Sequence, residues 1–209
     1  MKKLVLIGGG GHCKSVLDTV LRVKEYDEVV ITDERLERGS TILGCRVAGT
    51  DVSLEELREK GFDNAFVTVG SIKDTAPRKR LAELALSLGY TFPVIIDPSA
   101  AVSGFSDIGQ GTFVGKNVVV NADVKIGRHC ILNTGAVIEH ECVVEDFVHI
   151  SVGAILCGNV HVREEAFVGA GSTVIQGVTL GRGSVTGANS TVLADIGDNQ
   201  TVYGTVKGE

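Results

Sequence analysis

A chain of 209 residues has room for one large domain or two small ones, and 20 Lys and Arg against 26 Asp and Glu leave a net charge of −6. With a pI near 5.4 and no basic-aromatic cluster, this balance excludes a nucleic-acid binder, which carries a basic face. Five cysteines without a Cys-x-x-Cys pair exclude a disulfide framework and point to free thiols, while 27 Gly and no Trp point to a repetitive β architecture.

The chain opens Met1-Lys-Lys, like a signal peptide, but the apolar run Leu4–Ile7 is too short for a signal core or a membrane span. The expectation is therefore a soluble, cytoplasmic protein with no membrane partner. Leu4–Ile7 reads as a buried strand, and the run Gly8–Gly11 turns into a helix over 12–24. A second strand spans Glu28–Thr32 and ends at Asp33 and Glu34. Ser53 and Glu56 spell a capping box for a short helix. Ala65–Val69 is a third strand, and a third helix runs from Arg78 to Leu88, closed by Gly89. Strands alternating with helices predict a small Rossmann-like parallel α/β domain over 1–95.

From 96 to 209 the period changes to six. Ile108, Val114, Val120, Ile126, Leu132, Ile138, Val144, Ile150, Leu156, Val162, Val168, Val174, Leu180, Thr186 and Val192 are aliphatic except Thr186. Four residues after each, as at Thr112, Cys130, Ala136, Cys142, Ala154, Ser172 and Ser190, stands a small or β-branched residue. A hexad with a large aliphatic inside and a compact residue near the corner predicts a triangular parallel β-solenoid, three hexads to a coil. Cys130 and Cys142 occupy the compact slot and read as core residues.

The loop Gly8-Gly-Gly-Gly-His12-Cys13 departs from the dinucleotide fingerprint at its sixth position, so it favours a nucleoside diphosphate, held at a helix N-terminus, over NAD. Asp33 and Glu34 are placed for ribose hydroxyls or a base edge.

The α/β segment opening Gly-Gly-Gly-Gly-His, the hexads and the stretch Ile131–Ala154, with His140-Glu141 and His149 inside it, resemble the family of sialic acid O-acetyltransferases and nucleotide-4-amino-sugar N-acetyltransferases, of bacillosamine- and perosamine-pathway type. The resemblance covers nearly the whole chain. It implies a left-handed parallel β-helix behind a nucleotide-sugar-binding domain, and acetyl transfer from acetyl-CoA to the amine of a nucleotide-diphosphate-linked 4-amino-deoxy sugar, in polysaccharide biosynthesis. It implies His140 as general base, Glu141 as the carboxylate that raises its basicity, and His149, Ala170 and Ala188 as acetyl-CoA contacts. Gly10, Gly11, His12, Asp33, Glu34 and Gly70 match nucleotide-sugar contacts. It also implies a homotrimer with active sites between subunits, and no metal.

The chain departs from the family at Cys13, where glycine is usual, in the longer Ser71–Pro77 stretch, and at Tyr203-Gly-Thr-Val-Lys207, which replaces a Gly-x-Pro-Ala ending. The chemistry is consistent with a base: an amine must shed a proton to attack a thioester, and imidazole titrates near neutrality. O-acetylation of sialic acid or a related sugar, a non-catalytic scaffold and a metal-dependent hydratase are the alternatives. The last needs a close histidine pair, whereas His129, His140, His149 and His161 are widely spaced.

Overall fold

A computed structural model describes residues 1–72 and 74–208. Lys73, inside the lengthened Ser71–Pro77 stretch, lies outside the described residues. The chain divides into two compact units, Met1–Ile95 and Ile96–Glu209.

The first unit is built on a five-stranded sheet. Its elements are β1 (Lys3–Ile7), α1 (Gly11–Val23), β2 (Glu28–Thr32), β3 (Thr41–Ile42), β4 (Cys45–Gly49), α2 (Ser53–Glu59), β5 (Asn64–Val67) and α3 (Ala76–Ser87). The strand order is β3-β4-β2-β1-β5, parallel throughout except for the β3–β4 hairpin. β1 is central, and Leu4 to Ile7 are fully buried, as an apolar run covered on both faces should be. The chain leaves β1 for β2 and β4 on one side and crosses to β5 on the other. The carboxyl end of β1 is thus the topological switch point of the sheet.

Three local readings are corrected. The hairpin and β4 are additional to the predicted strands. Leu43 and Gly44, both at positive φ, form the two-residue turn, but Arg46 interrupts the apolar pattern that would have marked β4. The capping box does not form, because Ser53 is the first helical residue and Val52 the cap, without a side-chain cap bond. The predicted helices and third strand each shift by one or two residues, the ordinary uncertainty of element ends.

The second unit is a triangular parallel solenoid. Two-residue strands stack every eighteen residues into three faces. The first contains Val119–Val120, Val137–Ile138 and Ile155–Leu156; the second Lys125–Ile126, Val143–Val144 and His161–Val162; the third Ile131–Leu132, His149–Ile150 and Phe167–Val168. From Val114 to Val192 every residue of the aliphatic column is buried, and so is every compact residue from Thr112 to Ser190. Each coil closes its core only against its neighbours.

The exception at Thr186 has a physical reason. Its Oγ1 accepts the Gly169 N–H at 2.8 Å, where the ladder pairs only Phe167 with Val185, so the buried hydroxyl replaces a missing carbonyl. Cys142 Sγ donates to the Cys157 carbonyl at 3.1 Å, and burial pushes its thiol up to about 11, consistent with a packing role.

A third column was not read from the sequence. The residue before each compact one sits at positive φ, from Gly111 and Asn117 through Gly183 and Asn189. Gly, Asn and Asp predominate there, as left-handed backbone demands. His129, Glu141, Phe147 and Glu165 are the bulky exceptions.

Candidate active site

In the first unit a cavity of about 640 Å³ opens at the carboxyl ends of the parallel strands. Gly10, Gly11, His12, Asp33, Glu34 and Gly70 all line it, joined by Asp51 and Arg80. The glycine loop is shaped from both sides. Gly8 sits at φ 108°, and a β-carbon on it would stand 2.6 Å from Val69 Cγ2. Gly10 and Gly11 face open space, and Gly10 caps α1 without a side-chain bond, so the first turn of that helix presents backbone N–H groups to the cavity. A β-carbon on Gly70 would meet His12 Cβ at 3.8 Å, so these two residues form one wall.

Asp33 is engaged in holding the loop. Its oxygens accept the N–H groups of Gly9 at 2.6 Å, Arg35 at 2.8 Å and Leu36 at 3.1 Å. Glu34 Oε1 accepts the Asp51 N–H at 3.1 Å. Burial, and then the neighbouring Glu34, push the Asp51 carboxyl above its ordinary range, against the opposing pull of Arg80, whose guanidinium lies 3.3 Å away. Glu34, Asp51 and Arg80 therefore form a charged wall facing the glycine loop; Asp51 and Arg80 were not picked out from the sequence. Cys13 is buried beneath the loop with its thiol pushed up to about 11 by burial, which suits packing.

In the second unit His140 projects from the corner between the first and second faces, 61% exposed. Its Nδ1 lies 3.1 Å from Glu141 Oε2. A carboxylate only accepts, so Nδ1 carries the hydrogen of this contact and Nε2 is the ring nitrogen left for a second partner. The ring is seated over Gly158, one coil on: a β-carbon there would stand 2.6 Å from Cε1 and 2.7 Å from Nε2. The Asn159 N–H donates to the His140 carbonyl at 2.9 Å and fixes the corner backbone. A side chain at 158 would therefore displace the imidazole from this seat, a relation separated by one full coil and invisible as a local motif.

His149 stands on the third face. Its Nε2 is 3.4 Å from Asn133 Nδ2, and its ring meets Phe167 edge-on at 5.0 Å. Ala170 and Ala188 occupy the corner between the third and first faces, stacked below Thr134 and Val152, with the Asn189 N–H donating to the Ala170 carbonyl at 2.8 Å. The alanines and His140 therefore occupy two different corners of one chain, separated by the first face. His129 is buried and stacked on Phe147 at 5.0 Å, and His161 pairs with Glu145 at 2.7 Å. Among the described residues no group of three or more His, Cys, Asp or Glu is arranged to hold a metal.

A triangular hexad solenoid carrying an exposed histidine–carboxylate pair at a corner, behind an α/β unit with a glycine-lined cavity, defines a hexapeptide-repeat acyltransferase. Residues 3–85 match the PglD N-terminal domain, 105–140 the bacterial transferase hexapeptide (six repeats), and 160–194 the hexapeptide repeat of succinyl-transferase. A perosamine N-acetyltransferase from Caulobacter crescentus, solved as a histidine mutant in complex with CoA and GDP-perosamine, is 36% identical over 100% of this chain and 98% of its own, with a TM-score of 0.92. The acetyltransferase domain of PglB from Neisseria gonorrhoeae, in complex with acetyl coenzyme A, is 37% identical over 97% of this chain and 96% of its own, TM-score 0.91. A GDP-perosamine N-acetyltransferase of Escherichia coli O157:H7 is 27% identical over 150 residues, 72% of this chain; the match spans 65% of that relative's length. The chain belongs to the nucleotide-amino-sugar N-acetyltransferase family, with its left-handed β-helix.

Proposed function

We propose that the protein transfers the acetyl group of acetyl-CoA to the amine of a nucleotide-diphosphate-linked 4-amino-deoxy sugar by direct attack, without an acyl-enzyme. The observation that carries this reading is the His140–Glu141 pair over Gly158, since an exposed imidazole whose Nδ1 faces a carboxylate keeps Nε2 for the proton of a general-base step. As the amine attacks the thioester carbonyl, its proton passes to Nε2. Glu141 stabilises the imidazolium that results. The thiolate leaves as the tetrahedral centre collapses, and takes up a proton. The substrate's nucleotide belongs to the glycine-lined cavity, with its diphosphate at the N-terminus of α1 and its hydroxyl or base donors toward Glu34; Asp33 acts by holding the loop. His149, Ala170 and Ala188 form the acetyl-CoA side.

One chain carries the proposed base and the donor-side alanines on separate corners, which supports a homotrimer with active sites between subunits. The first face lies between those corners and is apolar outward over its first four strands, at Ala101, Val119, Val137 and Ile155, before Thr173, Thr191 and Thr205 follow, with Val152 48% exposed beside it. The second face presents Asp107, Lys125 and His161 instead. A first face packed on the next copy sets the His140 corner of one chain beside the alanine corner of its neighbour. Such a heterologous contact closes into a ring, and a triangular prism closes most simply at three. We place the enzyme in the cytoplasm, where five free thiols stay reduced.

The test is a panel of UDP-, dTDP- and GDP-4-amino sugars offered with acetyl-CoA, reading free thiol release. His140→Ala is expected to lose roughly 10²–10⁴-fold in kcat while both substrates still bind. A variant that retains the wild-type rate would remove His140 from the mechanism.

A further inference from the structure

The corner that carries Ala170 and Ala188 ends beside an exposed aromatic ring. Tyr203 lies in the turn between the last two strands, Thr201–Val202 and Thr205–Val206, and is 70% exposed. The pairing of Val185 with Thr201 and Thr186 with Val202 carries it directly onto Gly187. A β-carbon on Gly187 would collide with the Tyr203 ring, so the ring is seated on that glycine. Directly above, the column runs Thr134, Val152, Ala170, Ala188, diminishing to methyl side chains and then to Gly204. An exposed ring seated on backbone, at the end of a strip of small residues, is a stacking platform without an occupant from its own chain.

Its height along the solenoid selects the occupant. From the coil of His140 to that of Tyr203 the first face makes four ladder steps, Val137 to Ile155, Thr173, Thr191 and Thr205. At about 4.8 Å per step this is about 19 Å. The chain from the thioester sulfur of CoA to its adenosine is an arm of about seventeen bonds, which at the reach of an extended peptide spans about 20 Å. The geometry points to Tyr203 as the adenine-binding residue for the acetyl-CoA donor. Every nucleobase offers a π-face to such a ring, and stacking needs no hydrogen-bond code. This inference rests on the donor site proposed above and extends it to a residue in the C-terminal segment where the chain departs from its family.

The experiment compares acetyl-CoA with S-acetylpantetheine, which keeps the thioester and lacks the nucleotide, in wild type, Tyr203→Ala and Tyr203→Phe. Tyr203→Ala is expected to raise KM for acetyl-CoA roughly tenfold. Tyr203→Phe should leave it unchanged, and neither substitution should alter KM for S-acetylpantetheine. An unchanged KM for acetyl-CoA in Tyr203→Ala, or an equal rise with both donors, would overturn the assignment. A wild-type enzyme that uses neither donor would instead overturn the acetyl-transfer reading, and this inference with it.

Discussion

Glu141 holds a left-handed backbone conformation, φ 62°, in a column where most coils place Gly, Asn or Asp. For an L-residue with a long side chain that conformation costs about 1–2 kcal/mol. His129 and Phe147, bulky residues in the same column, recover part of the cost by stacking on each other. Glu141 has no such packing: its side chain is 63% exposed and directed to His140 Nδ1. Strain kept for a contact with the proposed base fits the role proposed for Glu141. Glu141→Gly is therefore expected to stabilise the protein by roughly 0.5–1 kcal/mol, after the entropy cost of glycine, while lowering kcat. Thermal denaturation and steady-state rates on the same preparation check both halves. A variant less stable than wild type would show that the backbone is not strained.

The solenoid corner opposite the first face works at the scale of stacked turns. Arg128 donates from Nε and Nη2 to Asp146 Oδ2 at 2.9 and 2.7 Å, and its backbone N–H donates to Oδ1 at 2.7 Å. Arg182 and Glu164 form a further pair on this corner at 3.4 Å. Burial pushes the Asp146 carboxyl up, but the Arg128 fork more than offsets this, and the group titrates below its ordinary range. A carboxyl depressed in the folded state adds stability above its unfolded pKa, and that stability is lost as pH falls through the folded value. Because Arg128 is mostly exposed, solvent screening keeps the contribution to about 1 kcal/mol. Asp146→Asn is expected to cost that amount in urea denaturation at pH 7 and almost nothing below the carboxylate range; equal losses at both pH values would refute the linkage. The corner pair is visible only in the coil register, since Arg128 and Asp146 stand eighteen residues apart. The hexad itself was fully legible, because an inward aliphatic and a compact neighbour are demanded at every turn regardless of what packs outside.

At the scale of the whole molecule, the second unit is one continuous column whose coils each touch only the coils above and below. Leu156 sits at its middle, fully buried, between Ile138 and Val174 in the ladder. Leu156→Ala is expected to cost about 3 kcal/mol, the lost transfer energy plus the cavity that stiff neighbouring strands cannot close. Chemical denaturation would measure it, and a cost under about 1 kcal/mol would mean that the column collapses around the gap. Among the described residues no helix is long and apolar enough to cross a membrane. The architecture is repetitive: stacked corners offer equivalent positions, and the proposed base and the proposed donor groove differ from the other corners by single side chains.

Period, composition and the glycine run, read along the chain, were sufficient for the solenoid, its two buried columns and the α/β unit with its glycine loop, whereas Asp51 and Arg80 of the cavity wall carried no signal. These are properties of spacing, and spacing survives in one dimension. Tertiary structure alone decided that Asp33 spends its oxygens on a loop twenty-four residues earlier, that His140 rests on Gly158, that Thr186 replaces a ladder carbonyl, and that Tyr203 seats on Gly187. Each of these depends on which atoms meet when distant segments stack, and no pattern of residue types along the chain encodes that meeting.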